Sequence, residues 1–322
     1  MLKKLYHKLW STIENKYQKT SFIESENIIA KTNLLYGKDI KNNRYDAYFP
    51  NNNNHEKLPT VFVFHGGGYI SGNKEGTSDF CRILARKGCL VFNIEYTKCD
   101  NEEKKYFPYQ VYEFFQFYKS ITEHTDFVDL IDFNNIFISG NSAGAHIAAL
   151  IANIQTNQML KMDFNLQGGP PIKGVILLSP SFGAYKFAGL FPKNNFHDII
   201  FGTKNIRNPI SNITHNLDIT TEAFPPSAMF SVKGDFVVGA HKERFLNLAK
   251  ELKLSVRHYD ICSGYKLFHS SMVDNPEKYP IFINKVMEFI NDAHNNKFVK
   301  GVKKEQILEE ENIDLIEKAS IS

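Results

Sequence analysis

Apolar positions along this chain follow two alternating periods. Short apolar or β-branched runs lie near residues 28 to 36, 44 to 49, 60 to 65, 89 to 95, 135 to 140, 173 to 179, 227 to 233 and 255 to 261. From the third onward, most are separated by stretches in which apolar residues recur at the spacing of helices. Strand and helix in alternation predict an α/β fold, a mostly parallel eight-stranded sheet with helices on both faces. The first two runs are joined through Tyr36-Gly37-Lys38-Asp39, which is too short for a crossover helix, so that pair is expected to be antiparallel.

Three stretches stand outside this rhythm. Leu2, Leu5, Tyr6, Leu9, Trp10 and Ile13 recur at helical spacing with Lys3, Lys4, Lys8 and Lys16 elsewhere on the wheel, which predicts an amphipathic helix over 2 to 17 and sets residues 1–25 apart as an N-terminal unit. It is too short and too interrupted by charge for a signal peptide or a membrane span, although basic and apolar faces together also suit an anionic membrane surface. Between Pro180 and Pro225 more than forty residues carry no strong strand but hold Phe182, Tyr185, Phe187, Phe191, Phe196 and Phe201. Residues 296–322 are charge-dense, with Lys303-Lys304-Glu305 and Glu309-Glu310-Glu311, and are expected to form a loosely held helix or a disordered tail outside the main domain, 26–295. Asn51 to Asn54 read as a polar loop before the third strand.

Composition narrows the function classes. At 322 residues, 43% hydrophobic and 13% aromatic, the chain can bury a large core. A net charge of +3 without a clustered basic stripe argues against a nucleic-acid partner. Cys81, Cys89, Cys99 and Cys262 have no metal spacing and no need to pair, which fits a reducing cytoplasm. No phosphate-binding glycine loop, dinucleotide fingerprint or His-Glu-x-x-His is present, so no cofactor and no metal are expected.

Chemistry concentrates at strand ends. Gly140-Asn141-Ser142-Ala143-Gly144 follows the run Ile136-Phe137-Ile138-Ser139 and opens the helical pattern from His146, placing Ser142 on a strand-to-helix corner as a candidate nucleophile. His65-Gly66-Gly67-Gly68-Tyr69 follows the run 60 to 64; its glycines can turn bare N–H groups inward toward a developing oxyanion, with Ala143 N–H as a further donor at a helix start. A serine nucleophile needs a base and a carboxylate to orient that base. Asp235 after the seventh run and His269 after the eighth satisfy this in the order Ser, Asp, His used by α/β-hydrolases. The rivals fit less well. His65 is read as bracing the glycine loop, His146 as packed, His258 as part of a strand, and His241 and His294 as helical, while Asp260 ends the strand that leads to His269 and Asp274 is a surface residue.

Together, His65 to Tyr69, Gly140 to Gly144, Gly234-Asp235 and His269 resemble the α/β-hydrolase esterases and lipases related to hormone-sensitive lipase, over residues 28 to 294. The resemblance implies a catalytic triad of Ser142, Asp235 and His269, and an oxyanion hole of Gly67, Gly68 and Ala143. It also implies a small helical cap at about 181–224, against which the N-terminal helix would dock. The cap aromatics suit an apolar substrate or the cap's own core. Tyr69, Asn141 and Phe182 are candidate substrate contacts. Two positions depart from the family: many members carry Asp where this chain has Asn141, and Gly where it has Ser270. The implied activity is hydrolysis of small-molecule carboxylic esters. Amide hydrolysis as a formamidase or peptidase, or a non-catalytic small-molecule receptor on the same scaffold, stays open.

Overall fold

A computed structural model describes residues 27–51, 56–100, 102–182, 198–202, 216–235, 237–263 and 267–309. The expected N-terminal helix, most of the cap with Tyr185, Phe187, Phe191 and Phe196, and the tail beyond 309 lie outside the described residues. No helix among the described residues is long and apolar enough to cross a membrane.

Among the described residues, nine strands form one sheet. They are β1 (Ile28–Leu35), β2 (Arg44–Pro50), β3 (Leu58–Phe64), β4 (Leu90–Ile94), β5 (Ile131–Asn141), β6 (Ile172–Leu178), β7 (Ser227–Val232), β8 (Ser255–Ser263) and β9 (Gly301–Glu309). Their order across the sheet is β1-β2-β4-β3-β5-β6-β7-β8-β9. β1 pairs antiparallel with β2, as the short connection requires, and β2 antiparallel with β4; all later pairs are parallel.

Consecutive residues of a strand point to opposite faces, and here both faces are covered. Phe62, Phe64, Ile136, Ile138, Val175 and Leu177 face one core; Val61, Val63, Phe137, Ile176 and Leu178 face the other. Against the first pack α2 (Tyr109–His124), α3 (Ala143–Thr156) and α6 (Gly239–Glu251). The second is closed by α1 (Ser78–Arg86) and α8 (Pro280–His294). In α8 the buried residues Phe282, Ile283, Val286, Phe289, Ile290 and Ala293 fall on one stripe, as expected of a helix lying on a sheet. Short helices α4 (Gln158–Asp163), α5 (Asn216–Ile219) and α7 (Ser271–Asp274) lie between these elements.

The ninth strand corrects the expected count of eight, and with it the assignment of 296–322 to a tail outside the fold. β9 matches β8 residue for residue from Ser255↔Gly301 to Ser263↔Glu309. Its pattern hides it, because Lys303 to Gln306 are exposed while Ile307 and Glu309 are buried. Glu309 accepts hydrogen bonds from the N–H groups of Ile281 and Phe282, at 3.3 and 2.6 Å. That carboxylate sits on unsatisfied donors at the start of α8, where negative charge is favoured.

Candidate active site

Ser142 stands between β5 and α3 with φ 54° and ψ −114°, left-handed backbone that costs a non-glycine residue about 1–3 kcal/mol. Its N–H donates to the Leu178 carbonyl at 2.9 Å, and its own carbonyl accepts from Ala145 and Ser181, each at 3.1 Å. The glycines of the motif are required by contact. A Cβ on Gly144 would lie 2.3 Å from the Phe64 carbonyl oxygen, and one on Gly140 would lie 2.3 Å from the backbone of Gly144. The corner is held against the neighbouring strands β3 and β6, and the hydroxyl is aimed out of the turn.

β7 and β8 deliver the other two predicted residues to that hydroxyl. His269 Nε2 lies 2.7 Å from Ser142 Oγ, and His269 Nδ1 lies 2.7 Å from Asp235 Oδ2. Because an ionised carboxylate only accepts, Nδ1 carries the hydrogen and Nε2 of the neutral ring is left to accept from the serine. Burial pulls the Asp235 carboxyl up. The hydrogen bond and charge of His269, with the N–H groups of Val237 and Val238, outweigh it and hold the group below its ordinary value. The side chains of His269 and Asp235 are each 4% exposed.

The glycine loop closes on the same corner. Gly67 has φ +114°, and a Cβ there would lie 2.1 Å from the Ser71 carbonyl oxygen, so the tight return of the loop excludes any other residue. Among the described residues, the N–H groups of Gly67, Gly68 and Ala143 have no acceptor. His65 anchors the loop's first residue. Its Nδ1 lies 2.6 Å from the Gly66 carbonyl oxygen and its Nε2 3.0 Å from Glu95 Oε1. The ring stacks on Tyr96 at 4.1 Å, and the Tyr96 hydroxyl donates to the His65 carbonyl at 2.9 Å. Burial pulls the Glu95 carboxyl up, but the charges and hydrogen bonds of His65 and Lys98 prevail and hold it down to about 2.

The three residues expected to touch substrate each make contacts within the protein. Tyr69 is 1% exposed, and its hydroxyl meets His146 Nδ1 at 2.7 Å. Asn141 donates from Nδ2 to Ser270 Oγ at 3.0 Å. Phe182 stacks on Phe245 at 4.7 Å, and its N–H donates to His241 Nδ1 at 2.9 Å. Sequence places Asn141 beside the candidate nucleophile, Tyr69 in the glycine loop and Phe182 in the expected cap without saying which way a side chain turns. The rival histidines are engaged elsewhere: His146 stacks on Phe107 at 4.6 Å and His258 Nε2 meets Ser231 at 2.7 Å. Glu95 and Tyr96 went unrecognised as supports of the glycine loop, because they lie thirty residues beyond it and carry no motif.

Comparison with known proteins agrees with this layout. The sequence profile of the alpha/beta hydrolase fold family matches residues 61–250, more than half of the chain. The chain belongs to that family. An isoprenylcysteine alpha-carbonyl methylesterase of Arabidopsis thaliana is 29% identical over 175 residues, covering 53% of this chain and 39% of the plant protein. The chain thus spans less than two thirds of the length of that relative. Among solved structures, esterase B of Lactobacillus rhamnosis superposes with a TM-score of 0.75 at 17% identity, over 91% of this chain and 95% of the other. An esterase of Pyrobaculum calidifontis gives a TM-score of 0.67 at 18% identity, over 93% and 94%. At such identity the likeness is one of fold.

Proposed function

We propose that the protein is a serine hydrolase that cleaves carboxylic esters carrying small to medium apolar acyl groups, through an acyl-enzyme. The observation that carries this reading is the hydrogen-bonded line from Ser142 through His269 to Asp235, with 2.7 Å at each step. His269 Nε2 takes the hydroxyl proton as Ser142 Oγ attacks the ester carbonyl, and Asp235 stabilises the imidazolium that results. The oxygen that becomes negative is received by the N–H groups of Gly67, Gly68 and Ala143, which are fixed by the fold before the reaction begins. The imidazolium then returns its proton to the leaving alcohol. Water follows the same route in reverse, with His269 as its base, and releases the acid.

The ester assignment is supported by the activities for which the relatives are named, a methylesterase and two esterases. It is tested with 4-nitrophenyl esters from acetyl to decanoyl, beside matching anilides and an N-formyl aromatic amine, using wild type and Ser142→Ala. Turnover of the shorter esters that vanishes with Ser142 is the expected result. Turnover confined to the amides would replace the reading with amide hydrolysis, and binding without turnover of any compound would favour a receptor.

A further inference from the structure

The turns that bring Ser142 and His269 together leave β5 and β8, which are separated in the sheet by β6 and β7. Their strands share no hydrogen-bond ladder that would set the gap between them. Two successive side-chain pairs span it. Ser142 Oγ meets His269 Nε2 at 2.7 Å and, one residue away on each turn, Asn141 Nδ2 meets Ser270 Oγ at 3.0 Å. Asn141 is 6% exposed, and its Oδ1 is buried with no partner among the described residues. Its amide nitrogen also lies 3.0 Å from the place a Cβ on Gly66 would occupy. One amide therefore extends from the serine corner, fills the space beside Gly66 that a side chain would need, and bonds to the histidine turn. Ser270 passes the contact on, since its carbonyl accepts from the N–H groups of Val273 and Asp274 at 2.8 and 3.0 Å.

We propose that Asn141 and Ser270 are positioning residues whose uncharged bond ties the serine corner to the histidine turn and fixes the imidazole against the hydroxyl. The proposal rests on Ser142 and His269 acting as nucleophile and base. Losing one such hydrogen bond is worth about 0.5–1.5 kcal/mol, or up to roughly tenfold in a rate that depends on it.

The test is the rate at which an alkyl fluorophosphonate labels Ser142, which reports serine activation whatever ester or amide is turned over. Asn141→Leu and Ser270→Ala should each slow labelling by up to about tenfold, and the double variant should be no slower than the slower single one. Ser270→Thr, which keeps the oxygen, should stay within about threefold of wild type, whereas on an ester substrate Asn141→Leu and Ser270→Ala should lower kcat while KM holds. Single effects that multiply in the double variant, or that track loss of thermal stability with kcat and KM unmoved, would overturn the proposal. Should Asn141→Leu fail to fold, folded Ser270→Ala decides, and an unchanged labelling rate there overturns it. Wild type that is labelled at Ser142 yet hydrolyses no ester would defeat the ester reading alone, and the bridge would still be judged on labelling. Equal labelling of Ser142→Ala would remove the nucleophile and the bridge together.

Discussion

Ser142, His269 and Asp235 have a counterpart in Ser231, His258 and Asp260, built from the same three residue types at nearly the same distances. In both sets the serine oxygen lies 2.7 Å from histidine Nε2. The third contact separates them. Asp235 meets His269 at Nδ1 and leaves the hydroxyl proton facing the ring. Asp260 instead accepts from the hydroxyl of Ser231 at 2.7 Å and from Lys242 at 3.0 Å, while His258 Nδ1 is buried without a partner among the described residues. The Ser231 proton is committed to a carboxylate, so His258 Nε2 must itself supply the hydrogen in its contact with Ser231. The backbone differs too. Ser231 lies within β7, paired with Asp260 on β8, whereas Ser142 projects from a corner beside N–H groups that have no acceptor among the described residues. The residue types are shared, and it is the direction of each proton that suits one set to nucleophilic attack and the other to fastening two strands.

The largest effect that would break this contrast is in turnover. Ser142→Ala should lower ester hydrolysis by about 10⁶, while Ser231→Ala should stay within about threefold, the range expected of a change remote from the reacting atoms. Equal losses in the two would mean the sets are not distinct. Asp235→Asn should cost about 10⁴ in kcat, because the ring is then held in the wrong tautomer. Asp260→Asn should leave kcat nearly untouched and instead destabilise the fold by about 1–3 kcal/mol in urea titrations, since the Ser231 hydroxyl and Lys242 lose a charged acceptor.

A third contrast is in acid. Burial pulls the Asp260 carboxyl up, but bonds from His258, Ser231 and Lys242 outweigh it and hold the group far below its ordinary value. A carboxylate with a depressed folded-state pKa adds stability above its unfolded pKa, about 3.9, and loses it as pH falls through the folded value. Asp235 has the same sign. Asp260→Asn should therefore flatten the fall in stability below about pH 4 relative to wild type, as read by urea unfolding at successive pH values. The smallest effect belongs to Lys242→Met. It should move the acid-unfolding midpoint slightly upward with activity unchanged, because one of the bonds holding Asp260 down is gone. A change in kcat there would show that the second set reaches the first.

Much of the fold was legible in the sequence because parallel strands buried on both faces must be largely apolar, and the runs at 60 to 65, 89 to 95 and 135 to 140 are. The candidate nucleophile, base and acid were legible because each comes shortly after a strand run, at the strand end where this architecture gathers its chemistry. β9 was not, since an edge strand with four successive exposed residues has neither the period nor the apolarity that marks a strand. The orientations of Tyr69, Asn141 and Phe182 were hidden for another reason. Their partners His146, Ser270 and His241 lie 77, 129 and 59 residues away, and only the completed topology brings them into contact.

The strand at 301–309 changes what the molecule presents to others of its kind. Without it, the side of the sheet that leads to His269 would end on β8, whose Val256, Tyr259 and Ile261 are buried, and an apolar border of bare N–H and C=O groups invites strands from neighbouring molecules. With it, the border carries Lys303, Lys304 and Glu305 in water, charges that oppose such stacking. The last strand is then a safeguard of solubility, and a chain cut at residue 300 should aggregate on heating well before it loses its sheet.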